Sequence, residues 1–318
     1  MTAEEHWALW RRDPRATPFQ SPAWLEAWWA HLGGGERRDI AIRDKAGRLI
    51  AALPMFVWRD GDARRLCPLG AGHSDYCDAL VDPEAGAGAV TRLWTEMIDA
   101  AADCDELLLP DLRSDSPLLA APPPGWRAAD EPGETCPVVR LPEQGPLLAV
   151  LSKSRRRKVV HDLHRAERLG GVAAALAAPE ELEEALDALF ALHADRWRRE
   201  GEPGVLADPR VRAFLRAAAE GLTAAGLLRF ALVRHEGRIV AALLGFTDGG
   251  RFHSYINGVD MRIPGQSFGT LAFARLIEAA GDEHAAEFHF LRGEEPYKYA
   301  WGAEPRRTIR RVVRRGSG

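Results

Sequence analysis

Residues 251–271, RFHSYINGVDMRIPGQSFGTL, read as a strand, a glycine-containing turn and the start of a helix. In the strand, His253, Tyr255 and Asn257 alternate onto one face and Phe252, Ser254 and Ile256 onto the other, and the first face is expected to look into a cleft. In the turn, Gly265 and Gly269 let the backbone come close to a ligand, and the first helical amides beyond them point outward unpaired. Such a helix end attracts phosphate through its N–H groups and its dipole. Gln266, Ser267 and Thr270 add side-chain donors. The same residues also read as a plain capped turn, with Ser267 or Thr270 as the cap.

Working outward, the second half predicts a strand (VAAALAA), helices over Glu181–Arg199 and Pro209–Ala225, and strands LLRFALVRH and RIVAALLGFTD leading into the quoted stretch. After it come a helix over Thr270–Ala280, strand EFHFLRG, a short helix around Tyr297 and a last strand, TIRRVVRR. The first half repeats part of this order. A Pro22-initiated helix, PFQSPAWLEAWWAHL, precedes a strand meander from RDIAIRD to SDYCDALVDP, a helix over Ala89–Ala101, strand DELLLPDL and a closing strand CPVVRLP. The stretches LLAAPPPGW and EPGE are expected to break regular structure. Between the halves, SKSRRRKVVHDLHRAERLGG carries apolar residues at helical spacing and a Gly170–Gly171 stop, giving an amphipathic connecting helix. The fold class expected is α/β with mixed sheets, divided into residues 1–150, a connecting helix over 151–170, and residues 171–318. The first half looks like a duplicate that has lost the ligand loop.

With 318 residues the chain exceeds the usual single core, and its 42 Lys and Arg against 46 Asp and Glu leave a formal net charge of −4. That balance gives no global drive toward nucleic acid or anionic membrane. The four cysteines form no CxxC pair, and His161 and His164 have no further ligands near them, so no metal site is expected. Neither a signal peptide nor an apolar run of about 20 residues is visible, which points to a cytoplasmic protein and leaves room for peripheral membrane contact.

A second signal is FHFLRGEEPYKYAWG, residues 288–302. Phe288 and Phe290 alternate as a buried strand, Arg292 and Gly293 form its exit, and Glu294, Glu295, Tyr297, Lys298 and Tyr299 load a strand end with ionisable groups, where open α/β sheets place ligands. Glu294 and Lys298 also stand four apart, as a surface ion pair would.

The ending FLRGEEPYKYAWGA resembles that of the CelD/BcsL-type acetyltransferases, a branch of the GNAT superfamily associated with cellulose and exopolysaccharide synthesis, and IPGQSFGTL looks like that family's loop. TPFQSPAWLEAWW, SDYCDALV, SKSRRRKV and HADRW extend the resemblance along nearly the whole chain. Phe268 stands where the family usually has Pro, and His289 where it usually has Asp. The resemblance implies tandem GNAT-like domains, the first degenerate, and an acyl-CoA co-substrate whose pyrophosphate is held by Gly265, Gln266, Ser267, Phe268, Gly269 and Thr270. It implies transfer of the acyl group to an amine on an amino sugar, a polysaccharide precursor or an amino-lipid base. Glu294, Tyr297, Lys298, Tyr255 and His253 are the candidate acid–base groups, and Arg156, Arg196, Asn257 and Arg292 the candidate acceptor contacts. Two other readings stand beside it. One is a Fem-like aminoacyl-tRNA-dependent transferase using the basic run at 152–158; the other is a non-catalytic partner of a polysaccharide or lipid synthesis complex. Oligomeric state is not legible.

Overall fold

A computed structural model describes residues 1–263 and 267–316, with residues 150, 166 and 167 described by their backbone alone. The chain clusters into two compact units, Met1–Thr135 with Arg307–Gly318, and Cys136–Arg306.

In the first unit, α1 (Ala3–Arg12) is a helix the sequence reading did not anticipate. Its local signals are complete: Thr2 accepts from the Glu5 amide, Glu5 reaches back to the Thr2 amide, and His6, Leu9 and Trp10 are buried at helical spacing. α2 (Pro22–Leu32) starts as expected at Ser21 and buries Trp24 and Trp28. The strands β1 (Glu36–Arg43), β2 (Leu49–Asp60) and β3 (Ala63–Pro68) form an antiparallel meander, with β4 (Leu80–Val81) against β2. The helix α3 (Gly86–Ala100) then crosses over to β5 (Glu106–Leu112), which pairs parallel to β3.

β6 (Trp126–Arg140) runs straight through EPGE, contrary to the expected break. The glycine there serves close approach, since a Cβ on Gly133 would lie 2.4 Å from Thr308 Oγ1.

The second unit repeats the pattern. After α4 (Leu147–Val150) and α5 (Lys153–Leu169) come β7 (Val172–Leu176), α6 (Leu182–Glu200) and α7 (Pro209–Ala224). The strands β8 (Leu228–His235), β9 (Arg238–Thr247) and β10 (Arg251–Val259) form an antiparallel meander, and α8 (Phe268–Asp282) crosses over to β11 (Glu287–His289), parallel to β10. α9 (Pro296–Ala300) and β12 (Glu304–Arg315) end the chain.

Two strands depart from the expected division at 150 and 170. β12 pairs antiparallel with β5, burying Val312 and Val313, and Arg311 is locked to Asp130 and to the carbonyls of Leu118 and Ala120. The last strand therefore completes the first unit, while residues 138–140 of β6 pair with β11 in the second. The cause is the crossover itself, which leaves β5 and β11 each with one open edge that an antiparallel strand can fill.

Each unit has its own apolar core. Leu53, Met55, Leu93, Trp94, Leu107 and Val313 centre the first; Ala231, Leu243, Phe252, Phe268, Leu276 and Phe288 centre the second. Among the described residues no helix is long and apolar enough to cross a membrane.

Candidate active site

β10 does not alternate as its sequence suggests. Ser254 pairs with Gly245 but Ile256 pairs with Leu244, so Tyr255 is an extra residue, a β-bulge. A Cβ on Gly245 would meet Leu276 of α8 at 2.8 Å, and one on Gly258 would meet Leu192 of α6 at 2.7 Å. Ser254 thus faces α8, Gly258 faces α6, and Asn257 and Val259 return to the α8 face. His253, next to Ser254, points away from α8. The expectation that His253, Tyr255 and Asn257 share one face fails because one inserted residue inverts a period of two.

Pairing between β10 and β11 ends at His253–His289, while β9 stays paired to β10 through Val259. Past His253, the β10 edge facing away from β9 has no strand partner among the described residues. At that level a cleft of about 380 Å³ opens. Its lining comes from six places: Lys158, Val159 and Asp162 on α5; Arg196 and Glu200 on α6; Asn257 and Val259 on β10; Met261 and Ser267 on the following loop; Gly269, Thr270 and Phe273 on α8; and Tyr297 and Ala300 on α9 with Trp301 at its C-terminal cap.

The wall at α8 is a helix start. Ser267 is the N-cap but makes no side-chain capping bond, and its carbonyl accepts from Thr270 and Leu271, so the Phe268 and Gly269 amides precede any intrahelical acceptor. Gly269 lies close to β10: a Cβ there would sit 3.3 Å from Val259 Cγ2. Phe268, expected in the donor loop, is fully buried, stacks on His235 at 6.1 Å and belongs to the core through its side chain. Gly265 and Gln266 lie outside the described residues.

On the opposite wall, the Tyr297 ring packs on Phe273 with centroids 5.1 Å apart. Although 38% of the residue is exposed, desolvation and then the Glu295 charge push its hydroxyl well above the ordinary tyrosine range, and a hydrogen bond from the Asn257 amide works the other way. Arg196 is bound to Glu200 at 3.0 Å and lies over Trp197, whose indole N–H donates to His193 Nε2 at 2.8 Å.

The remaining expected groups lie off the cleft. His253 is fully buried with Nε2 2.9 Å from Asp248, and its ring lies 4.9 Å from His289, which burial pushes down to about 3. The family's acidic position is thus occupied here by a buried imidazole held by Glu287 at 3.0 Å. Tyr255 packs at a tilt against Phe246, with ring centroids 5.4 Å apart. Glu294 is exposed and, among the described residues, accepts from the Tyr299 hydroxyl at 3.4 Å. Lys298 is buried, its ammonium spent on the carbonyls of Leu291, Arg292 and Gly293 and on Glu295, so it does not reach the cleft as a free proton donor. Arg292 lends its carbonyl to that contact, and Arg156 is exposed on α5 away from the lining.

The sequence reading missed Asp162 and Glu200, and reached Lys158 only as the end of the basic run at 152–158. α5 was read as a connector, and its 158/159/162 spacing, one helix face, was the available signal. Among the described residues no three His, Cys, Asp or Glu side chains gather at metal-binding distance.

The model of the acetyltransferase (GNAT) domain family matches residues 153–299. Residues 153–299 are thus similar to a GNAT acetyltransferase domain. The match begins at α5, so the helix expected to be a connector lies inside the matched segment. Solved structures share the fold over the whole chain. FemX is 12% identical, with a TM-score of 0.69 over 98% of this chain and 96% of that one. L-PGS from Bacillus licheniformis is 15% identical, with a TM-score of 0.59 over 93% and 92%. A tandem GNAT protein from the clavulanic acid biosynthesis pathway is 16% identical, with a TM-score of 0.51 over 100% and 96%. At these identities the likeness is one of fold: tandem GNAT-like units around mixed sheets. No curated protein matches the chain.

Proposed function

We propose that the protein is an acyl-CoA-dependent N-acyltransferase whose donor lies in the cleft at the start of α8, and that its acceptor is an amine on an amino sugar, a polysaccharide precursor or an amino-lipid. The observation that carries this reading is the cleft itself, where the start of α8 at Ser267, Gly269 and Thr270 and the open edge of β10 line the same space as Tyr297. A helix start suits a pyrophosphate. The open strand edge suits the amide-bearing arm of the donor and the oxyanion that forms at its carbonyl.

In the reaction the acceptor nitrogen forms a bond to the thioester carbon, the C–S bond breaks, the amine loses a proton and the thiolate gains one. Tyr297 is assigned as the acid because it lines the cleft opposite the start of α8 and its hydroxyl meets the Asn257 amide there. The base is assigned to the cleft carboxylates Asp162 and Glu200, not to the outlying Glu294.

Thermal melting with CoA, acetyl-CoA and a long-chain acyl-CoA tests the reading. A ligand at 100 times its Kd stabilises by about 2.7 kcal/mol, so a rise in Tm is expected with at least one of them. A second reading, transfer from aminoacyl-tRNA, is favoured by the exposed run Lys153 to Lys158, whose last member lines the cleft. Tight tRNA binding with no shift from any CoA ester would select it.

A further inference from the structure

Lys298 is held by four acceptors. Its Nζ lies 3.2, 2.6 and 3.1 Å from the carbonyl oxygens of Leu291, Arg292 and Gly293, and 2.9 Å from Glu295 Oε2. Three consecutive carbonyls converge on one point only because the chain is bent there: Leu291, itself buried, has φ 57° and Gly293 has φ 107°. A leucine seldom adopts that conformation, so the turn depends on its surroundings to persist. An ammonium has three N–H groups, all of which this cage uses.

The other end of the lever is α9. Five residues long, with no side-chain cap from Glu295, it cannot hold its own geometry. It carries Tyr297 toward the cleft while the neighbouring Lys298 reaches back to the turn after β11. Tyr297 also touches Phe290, just before that turn, with ring centroids 6.5 Å apart.

We infer that Lys298 is a positioning residue: its ammonium gathers the 291–293 carbonyls, pins α9 to the exit of β11, and so sets where the Tyr297 hydroxyl stands against Asn257. The inference rests on the reading of the cleft as an acyl-transfer site. Misplacing a reacting group by about 1 Å lowers turnover by about 100-fold, which is the scale to expect.

The test is a double-mutant cycle with Lys298→Met and Tyr297→Phe, followed by kcat and by CoA affinity from calorimetry. Lys298→Met is expected to lower kcat by about 10- to 100-fold with donor Kd changed less than about threefold, and to add little once Tyr297 is already Phe. The shape of the pH–rate profile is expected to stay the same as the whole curve drops. Additive losses, or loss of the basic limb in Lys298→Met alone, overturn the inference in favour of a direct proton-transfer role. If Lys298→Met does not fold, Glu295→Gln replaces it in the cycle, with a smaller but still non-additive effect expected. Amide hydrogen exchange supplies a readout independent of turnover. Residues 291–301 are expected to exchange at least about tenfold faster in Lys298→Met or, in its place, Glu295→Gln, and unchanged protection overturns the inference. An inactive wild type with that exchange result would count against the acyl-transfer reading and leave the pinning of α9 intact.

Discussion

At Gly269 a single hydrogen in place of a side chain keeps the start of α8 open beside Val259. Gly269→Asp is expected to weaken CoA binding by 100-fold or more, because like charges brought together at an interface cost several kcal/mol. Gly269→Ala, which brings a similar steric contact without the charge, is expected to lose far less. Calorimetric titration of both variants separates the two effects, and equal affinities for Asp and Ala would remove the helix start from the donor site. The residues at this scale divide by what surrounds them. Tyr297 and Asn257 meet in the cleft, whereas His253 and Lys298, just as polar in sequence, are buried and committed to other groups.

Among the elements, β10 does the most to create the site, through its bulge at Tyr255 and through the close approach of α6 at Gly258. A Cβ on Gly258 would meet the Leu192 side chain at 2.7 Å and the backbone of Leu189 and His193 at 3.0 Å, so the strand and helix cannot both keep their places. Gly258→Ala is expected to destabilise the protein by about 1–3 kcal/mol, the usual cost of overpacking, as measured by urea unfolding. It is also expected to weaken donor binding, since Asn257 and Val259 on either side of it line the cleft. Wild-type stability in Gly258→Ala would show that the contact yields easily. The bulge itself is hard to read in RFHSYING, because an inserted residue leaves no mark in a strand whose two faces are equally mixed.

For the whole molecule, acid sensitivity follows from its buried histidines. Burial pushes His6 and His193 down to about 4 and His289 to about 3, against an ordinary value near 6.5. Below pH 6.5 the unfolded chain takes up protons that the folded chain refuses, so stability present above that value is lost as pH falls through the folded pKa values. Asp78, pushed up to about 6 by burial, acts in the opposite sense: the stability it contributes is full below its unfolded value near 3.8 and lost as pH rises through 6. Each histidine changes the stability slope by about 1.4 kcal/mol per pH unit within its window. Urea unfolding between pH 7.5 and 4 is therefore expected to show a steepening loss below about pH 6, and His6→Gln to flatten it. Parallel curves for the two proteins would place the acid sensitivity elsewhere.

By itself the sequence determined most of the order of elements, α1 and the course of β6 through EPGE apart, since apolar periodicity, Pro22 at a helix start and the Gly170–Gly171 stop are local signals of local structure. It also pointed to the helix start at Ser267–Thr270 and to Tyr297, because glycine beside an uncapped helix end and aromatic groups at a strand exit are chemical statements a short segment can make. Only the tertiary structure decided that β12 completes the first unit, that α5 is a wall of the cleft, that His253 and Asn257 lie on opposite faces, and that Lys298 is enclosed by carbonyls. Each of these depends on which distant backbone comes alongside, a matter of strand pairing and burial between residues up to about 200 positions apart, as between Arg311 and Leu118. Local pattern carries no record of such partners.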